Sequence, residues 1–170
     1  MLKRVPGAYI LRPPYLYGQM NNVYREAFVF DCAMQGRKFY LPQSGDMKLQ
    51  FLHVEDLCKF IDKILEIKPE QHIFNVGNEK AVSIKEWVEA CYAVVGKQVE
   101  FVNVVADIPQ RSYFPFYDYE YNLDVSAQHE LLPNDKALKD GLKEAFEWYV
   151  NNQDKVNKKT LSEFIDDNLR

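Results

Sequence analysis

Short apolar runs separated by turn residues predict a series of β-strands along the chain. The run at residues 7–12 stops at a proline pair, as a buried strand does, because proline has no amide hydrogen to continue a ladder. Three further runs of this kind lie at residues 51–54, 72–76 and 99–105. All four are short, which is typical of strands in a globular domain.

Stretches with apolar residues every three or four positions predict helices between and after these strands. Asp56 is the expected N-cap of one helix, and capping boxes are predicted at Ser83–Glu86 and Thr160–Glu163. The predicted helices cover residues 22–36, 56–68, 83–95, 124–132, 138–149 and 160–169. Strands that alternate with helices, followed by helices alone, indicate an α/β fold with short strands and several helices.

We expect one domain over residues 1–150 and a C-terminal helical tail over residues 151–170. No linker, repeat or low-complexity segment interrupts the first 150 residues, and the chain of 170 residues is long enough for a hydrophobic core. The tail is the segment that we expect to be most mobile, since chain ends are held by the fewest contacts.

Charge and cysteine usage narrow the class of protein. Twenty-five acidic residues against 21 basic ones give a net charge of −4, which disfavours a nucleic-acid surface. No apolar run of membrane-spanning length is present, and the first residues lack a signal-peptide pattern. The three cysteines are far apart and the three histidines have no partner at helical spacing. We therefore expect free thiols, a cytoplasmic protein and no metal site.

Two arrangements that carry chemistry in α/β proteins are absent from the sequence. No glycine-rich loop of the type that cradles a diphosphate at a helix N-terminus occurs. None of the 11 tyrosines is followed by a lysine four residues later, the spacing that lets a lysine lower the pKa of a phenol. The residues describe a surface that receives a ligand, and we assign no catalytic residue.

Four segments, in order along the chain, carry a resemblance to a known family. They are Ile-Leu-Arg-Pro-Pro-Tyr-Leu-Tyr-Gly at 10–18, Phe-Leu-His-Val-Glu-Asp-Leu at 51–57, Phe-Asn-Val-Gly-Asn at 74–78 and Leu-Lys-Glu-Ala-Phe-Glu-Trp-Tyr at 142–149. Together they resemble the extended short-chain dehydrogenases/reductases, the NAD-dependent epimerase/dehydratase family. The resemblance implies a Rossmann-type α/β fold and places this chain in its C-terminal, substrate-side portion.

Within that family the chain most resembles the chloroplast stem-loop RNA-binding proteins and their bacterial relatives. The resemblance includes Arg12 to Tyr15, Asn21-Asn22, the segment 44–50 and Phe114-Pro115-Phe116. In the family, the first half of the chain holds the dinucleotide-binding glycines and the Tyr/Lys pair. The resemblance therefore implies a fragment that is inactive alone, binds no cofactor alone and self-associates, while the intact protein binds NAD or NADP.

The resemblance also suggests site residues. Pro13, Pro14 and Tyr15 match the family loop that passes the nicotinamide end of the cofactor, and Tyr15 can also meet the substrate. The other expected substrate-binding residues are Asn21, Asn22, Lys48, Gln50 and His53. Without the resemblance, these residue types also allow simpler roles. The asparagines can be helix caps, and His53 can be a core residue. Family members that take nucleotide sugars usually have an arginine where this sequence has Leu49, and a leucine cannot pair with a phosphate.

The aromatic run at residues 113–121 allows two interpretations. Tyr117, Tyr119 and Tyr121 alternate with Asp118 and Glu120, which predicts a half-buried strand or a lid segment. Tyrosines can also stack on bases, but the intervening carboxylates would repel a phosphate backbone.

Three functions remain open from the sequence. The first is the substrate lobe of an NAD(P)-dependent epimerase, dehydratase or reductase that acts on a small molecule, such as a sugar nucleotide. The second is an RNA-binding or ribonuclease-like protein on the same fold. The third is a scaffold that binds a cofactor without catalysis.

Overall fold

The computed structural model describes residues 3–134 and 136–169, and over these ranges it confirms an α/β fold. The strands are β1 Ile10–Arg12, β2 Tyr15–Tyr17, β3 Phe39–Pro42, β4 Lys48–Leu49, β5 Phe51–His53, β6 Ile73–Asn75, β7 Val82–Ser83 and β8 Phe101–Val104. The helices are α1 Glu26–Met34, α2 Val54–Ile67, α3 Ile84–Val94, α4 Ser126–Leu131, α5 Leu138–Val150 and α6 Leu161–Asn168, with 3-10 turns at Gln110–Ser112 and Gln153–Lys155.

Parallel strand pairs determine how the chain is wound. In the described ranges β1 pairs with β6, β2 with β5 and β3 with β8, all parallel, while β4 and β7 are antiparallel. Parallel strands need a crossover connection, usually a helical one. Here α1 lies in the crossover from β2 to β5, and α2 and α3 lie in the crossover from β3 to β8.

Two clusters of buried side chains form the core, and β5 contributes to both. Phe51 stacks on Trp87 in the larger cluster, with ring centroids 5.5 Å apart and planes within 2°. Leu52 belongs to the smaller cluster with Phe60 and Phe74. Successive side chains of a strand point to opposite faces, so this short strand separates the two cores.

The first helix begins four residues later than the periodicity predicts. Residues 21–25 form a turn in which the Val23 amide donates to Asn21 Oδ1 at 3.1 Å and the Arg25 amide donates to the Val23 carbonyl at 2.8 Å. α1 therefore starts at Glu26. The asparagine pair shapes this turn and does not cap the helix.

Residue His53, and not Asp56, caps α2. The ring Nδ1 of His53 accepts a hydrogen bond from the Glu55 amide at 3.4 Å, and the helix starts at Val54. Asp56 lies in the first turn, where a carboxylate suits the positive end of the helix dipole. The predicted N-cap is thus wrong by three residues, since the strand runs directly into the helix.

The capping box at Ser83 is confirmed and the one at Thr160 is wrong. The Ser83 hydroxyl accepts from the Glu86 amide at 3.1 Å, and the Glu86 carboxylate accepts from the Ser83 amide at 2.8 Å. Thr160 precedes α6 but its side chain makes no capping hydrogen bond.

The aromatic run is a folded loop, and the predicted strand is wrong. Tyr113, Phe114 and Phe116 are buried in the larger core, while Tyr117 and Tyr119 are about half exposed, at 51% and 52%. The backbone forms only an isolated bridge, from Tyr121 to β4. This segment is held in place by the burial of its bulky rings and not by the hydrogen bonds of a strand ladder.

The predicted C-terminal tail packs into the larger core. Val156, Leu161 and Ile165 are buried there. The Arg37 guanidinium forms a two-pronged ion pair with Asp166, with N–O distances of 2.5 and 3.1 Å. These contacts give residues 151–169 a place in the fold, and the mobility of the segment stays a prediction.

All three cysteines are free thiols. Cys32 and Cys91 are buried, and Cys58 is exposed. Over residues 3–134 and 136–169 no helix has both the length and the apolar character that crossing a membrane requires.

Replacing Ile165 with alanine tests whether the tail is part of the cooperative fold. We expect Ile165→Ala to lower the free energy of unfolding by about 2–4 kcal/mol, because the truncation leaves a cavity in the core. The exposed Glu163→Ala on the same helix is the control and should change it by less than about 0.5 kcal/mol. Urea unfolding measures both variants, and equal small effects would mean that the tail unfolds independently.

Candidate functional site

The carboxyl ends of β1 and β6 lie side by side and form the edge of the candidate site. The Arg12 carbonyl accepts a hydrogen bond from the Val76 amide at 3.2 Å, and this holds the two strand ends together. Gly77 follows, and a Cβ there would lie 3.1 Å from the ring of Pro14. The close approach favours glycine at this position. Ligands of open α/β sheets bind at such strand ends.

A pocket of about 260 Å³ lies at this edge. Its lining residues are Pro13, Pro14, Tyr15, Arg25, Tyr119 and Tyr121. They come from three separate parts of the chain: the segment at β2, the turn before α1 and the aromatic loop. The expected cofactor-loop residues therefore do line a pocket, and tertiary structure brings the other walls to them.

Arg25 supplies a positive charge to this pocket. Its guanidinium carbon lies 4.8 Å from the centroid of the Tyr15 ring and 6.0 Å from that of Phe116. Among the residues that the structure describes, no acceptor takes a hydrogen bond from this guanidinium. Burial lowers the pKa of Arg25, although its ordinary value is so high that it stays charged.

Arg111 adds a second cation close by. Its guanidinium carbon lies 4.9 Å from the centroid of the Tyr117 ring, and the group donates to the Pro115 carbonyl. Its charge also lowers the pKa of Arg25, while the charge of Glu26 raises it. The two guanidinium groups lie over the rings of adjacent residues, Phe116 and Tyr117, and such a pair of cations favours an anionic ligand.

The alternating segment at residues 117–121 divides two hollows of opposite character. Tyr119 and Tyr121 line the pocket that contains Arg25. Asp118 and Glu120 line a second hollow of about 510 Å³, whose walls also carry Asp46 and Asp107. An anion is therefore attracted to the tyrosine side of this segment and repelled by the acidic side.

Tyr15 is a hydrogen-bond donor and not a proton acceptor. Burial raises the pKa of its phenol, and the neighbouring Tyr119 acts in the same direction. The phenol therefore keeps its proton near neutral pH and can donate it in a hydrogen bond to a ligand oxygen. A phenol can act as a general base near neutral pH only if its pKa is lowered, and the pKa of Tyr15 is raised.

The predicted asparagines do not line this pocket. Asn21 Nδ2 donates to the Glu26 carboxylate at 2.8 Å, and Asn21 lines a separate hollow of about 220 Å³ with Leu16 and Tyr17. Asn22 is exposed, and its carbonyl accepts from the Asn157 amide at 2.9 Å. A ligand contact by either asparagine stays a prediction.

The other three predicted substrate residues do not line the pocket. Lys48 is exposed on β4. Gln50 is fully buried, and its side-chain amide bonds to the backbone of Asn78 and Leu123 at 2.7 to 3.2 Å. His53 is fully buried against Tyr17, with ring centroids 5.2 Å apart. Gln50 and His53 are thus held inside the fold away from this pocket, and a substrate contact by Lys48, Gln50 or His53 stays a prediction.

Arg25 and Arg111 were missed by the sequence interpretation. Neither occupies the position where the family's arginine is expected, and that position holds the buried Leu49. In the sequence, Arg25 and Glu26 look like an ordinary pair of exposed charged residues at the start of a helix. The stacking of Arg25 on a ring ten residues away depends on the turn at residues 21–25, which the periodicity did not predict.

Comparison with known proteins agrees with this fold. The chain is similar to the UDP-N-acetylglucosamine 4-epimerase from Bacillus cereus, with a TM-score of 0.66 and 22% identity over 86% of this chain and 48% of the other. It is also similar to the dTDP-glucose 4,6-dehydratase from Bacillus anthracis, with a TM-score of 0.64 and 21% identity over 87% and 46%. These likenesses show that the chain shares the fold of about half of each of these two enzymes.

Sequence matches point to the same group of proteins. Residues 7–77 match the model of the NAD dependent epimerase/dehydratase family. A chloroplast stem-loop binding protein of 41 kDa from Arabidopsis thaliana is 31% identical over 127 residues, which is 71% of this chain and 34% of the relative. A dTDP-glucose 4,6-dehydratase from Streptomyces niveus is 28% identical over 122 residues, with the same coverage. The chain thus spans about a third of the length of these relatives.

A buried carboxylate holds the loop that carries the pocket arginine. Glu26 is 4% exposed, and besides Asn21 it accepts a hydrogen bond from the Gly18 amide at 3.4 Å. Burial raises the pKa of Glu26 above its ordinary value of 4.5, and the hydrogen bonds only partly offset this. The ionised form therefore costs stability in the folded protein.

The raised pKa of Glu26 predicts a pH dependence of stability. The folded state holds this proton at higher pH than the unfolded state does, so the Glu26 contribution to stability falls as pH rises above 4.5. Glu26→Gln cannot ionise, and its melting temperature should fall less between about pH 5 and about pH 7.5 than that of the wild type. The exposed Glu89→Gln removes the same charge and should keep the wild-type slope. Equal slopes for all three proteins in calorimetry would contradict the assignment.

Proposed function

We propose that the chain forms the substrate lobe of an NAD(P)-dependent epimerase or dehydratase that acts on a nucleotide sugar. The observation that carries the proposal is the guanidinium of Arg25, which lies in the pocket at the strand ends and bonds to no acceptor in the described part of the chain. A diphosphate is an anion that two arginines can bind through several charged hydrogen bonds. Arg25 and Arg111 would take over the role of the arginine that other family members have at the position of Leu49.

Ligands of the structural neighbours support this substrate class. A similar UDP-glucose 4-epimerase from Thermotoga maritima was solved with UDP-glucose, and a similar UDP-glucuronic acid 4-epimerase from Bacillus cereus with UDP-glucuronic acid and NAD. Both likenesses are below 20% identity and concern the fold alone. The substrate class therefore rests on the pocket of this chain.

The residues of this chain bind and orient, and they transfer no proton. Pro13 and Pro14 would form the wall beside the nicotinamide end of the cofactor, and the Tyr15 phenol would donate a hydrogen bond to a substrate oxygen. Arg25 and Arg111 would hold the diphosphate. When bound, NAD or NADP supplies the hydride chemistry. The proton-transferring pair would belong to a dinucleotide-binding part of the intact protein.

Replacing Arg25 tests the assignment in the chain itself. We expect Arg25→Gln to weaken the binding of UDP-glucose by roughly 10- to 100-fold, the effect of losing hydrogen bonds to a charged group. The affinity of Arg25→Lys should lie between those of the wild type and Arg25→Gln, because an ammonium keeps the charge but cannot form two parallel hydrogen bonds as a guanidinium does. Calorimetric titration measures the affinities, with circular dichroism to verify folding.

The exposed Arg4→Gln is the matched control, since it removes one positive charge away from the pocket. It should bind like the wild type. Equal binding by wild type and Arg25→Gln would remove Arg25 from the site. No binding of UDP-glucose by the wild type would refute a preformed substrate lobe.

RNA binding is a second candidate, favoured by one surface feature. Tyr117 and Tyr119 stack on each other with ring centroids 5.7 Å apart and planes at 18° to each other, and both residues are about half exposed. The Arg111 guanidinium lies over the Tyr117 ring. Exposed aromatic faces next to an arginine can stack bases of single-stranded RNA. The net charge of −4 opposes this function.

A salt titration distinguishes this candidate. If stem-loop RNA binds at the tyrosine pair, its affinity should fall steeply with added salt, and the double variant Tyr117→Ala, Tyr119→Ala should lose about 1–3 kcal/mol per stacked base. Fluorescence anisotropy with a labelled stem-loop measures both effects. Absence of binding at low salt, where phosphate contacts are strongest, would remove the RNA candidate.

A further inference from the structure

A second polar cluster lies between the start of α2 and the middle of α5. It brings together His53, Glu55 and Glu144, whose ligand-forming atoms all lie within 4.8 Å of one another. Glu144 comes from a helix 91 residues later than His53, so no local spacing could reveal the cluster. It shares no residue with the lining of the Arg25 pocket.

Two buried atoms of this cluster have no hydrogen-bond partner among the described residues. They are Nε2 of His53, whose side chain is fully buried, and Oε2 of Glu144. These atoms lie 3.6 Å apart, which is too long for a hydrogen bond. Two ligands at about 2.0–2.2 Å from one tetrahedral ion lie roughly 3.3–3.6 Å apart, so the separation fits a shared metal ion.

Both carboxylates already converge on a cation. The Lys136 ammonium lies 2.7 Å from Glu144 Oε1 and 2.9 Å from Glu55 Oε2. The fold thus holds two carboxylates around a point that a cation already occupies. The side chain of Glu55 is 45% exposed, which leaves a path from solvent.

We propose that His53, Glu55 and Glu144 form a zinc site in which Zn²⁺ displaces the Lys136 ammonium. One imidazole and two carboxylates suit Zn²⁺, with water as the fourth ligand, whereas Ca²⁺ and Mg²⁺ prefer oxygen ligands alone.

Zinc binding changes two interactions of the cluster. With Nε2 on the metal, the imidazole proton moves to Nδ1, and the 3.4 Å hydrogen bond from the Glu55 amide is lost. The Lys136 ammonium also leaves both carboxylates. In return the ion links the β5–α2 junction to α5. The affinity should therefore be moderate, and zinc should raise the melting temperature of the chain.

Calorimetric titration of the chain with Zn²⁺ tests the site. We expect one ion per chain, roughly tenfold tighter binding by Lys136→Met, which lacks the competing ammonium, and at least roughly tenfold weaker binding by His53→Asn. Asparagine is a good N-cap and should preserve the start of α2. Glu144→Gln is a second ligand variant that keeps the volume of the side chain. Folding of each is checked by thermal unfolding without metal.

Lys143→Met on α5 is the control for loss of a lysine, since Lys143 pairs at 3.9 Å with Glu147 and not with the cluster. It should bind Zn²⁺ like the wild type. Tight binding that neither His53→Asn nor Glu144→Gln weakens would place the ion elsewhere and overturn the proposal. So would the absence of Zn²⁺ binding by both the wild type and Lys136→Met, or equal affinity for Mg²⁺.

Discussion

The buried residue Gln50 is the point on which the candidate site depends. Its backbone carbonyl accepts from the Tyr15 amide at 3.3 Å, and its amide donates to the Tyr121 carbonyl at 3.1 Å. Its side chain bonds to the backbone of Asn78 and Leu123. One residue thus aligns β2, the aromatic loop, the turn after β6 and the approach to α4. An unpaired buried amide costs about 1–3 kcal/mol, so these segments are held in one arrangement.

The pocket concentrates positive charge in a protein of net negative charge. Arg25 is held there by stacking on Tyr15 and Phe116, and the charge of the adjacent Glu26 also favours its ionised form. The Glu26 carboxylate accepts its hydrogen bonds from Asn21 and Gly18 and not from the guanidinium, which leaves the N–H groups of Arg25 for a ligand. The acidic side chains of the aromatic loop instead line the opposite hollow. Because tyrosines and acidic residues alternate along residues 117–121, this one segment separates the pocket that contains Arg25 from the acidic hollow.

The same β5 strand serves both polar regions of the molecule. Gln50 precedes it and organises the pocket, while His53 ends it and faces Glu144 of α5. The two regions are separated by Phe51 and Leu52, whose side chains enter different cores. Motif residues that a family comparison groups into one ligand site thus lie on two sides of a short strand, because successive side chains alternate.

Local patterns determined the class of fold and most elements. The apolar runs, the Ser83 capping box and the motifs at residues 10–18 and 51–57 follow from interactions between near neighbours, which the sequence states directly. Only the tertiary structure decided that Arg25 stacks on Tyr15, that Gln50 joins backbone segments 28 and 73 residues away, and that Glu144 meets His53. Such contacts depend on how helices and strands pack, and packing is a property of the whole chain.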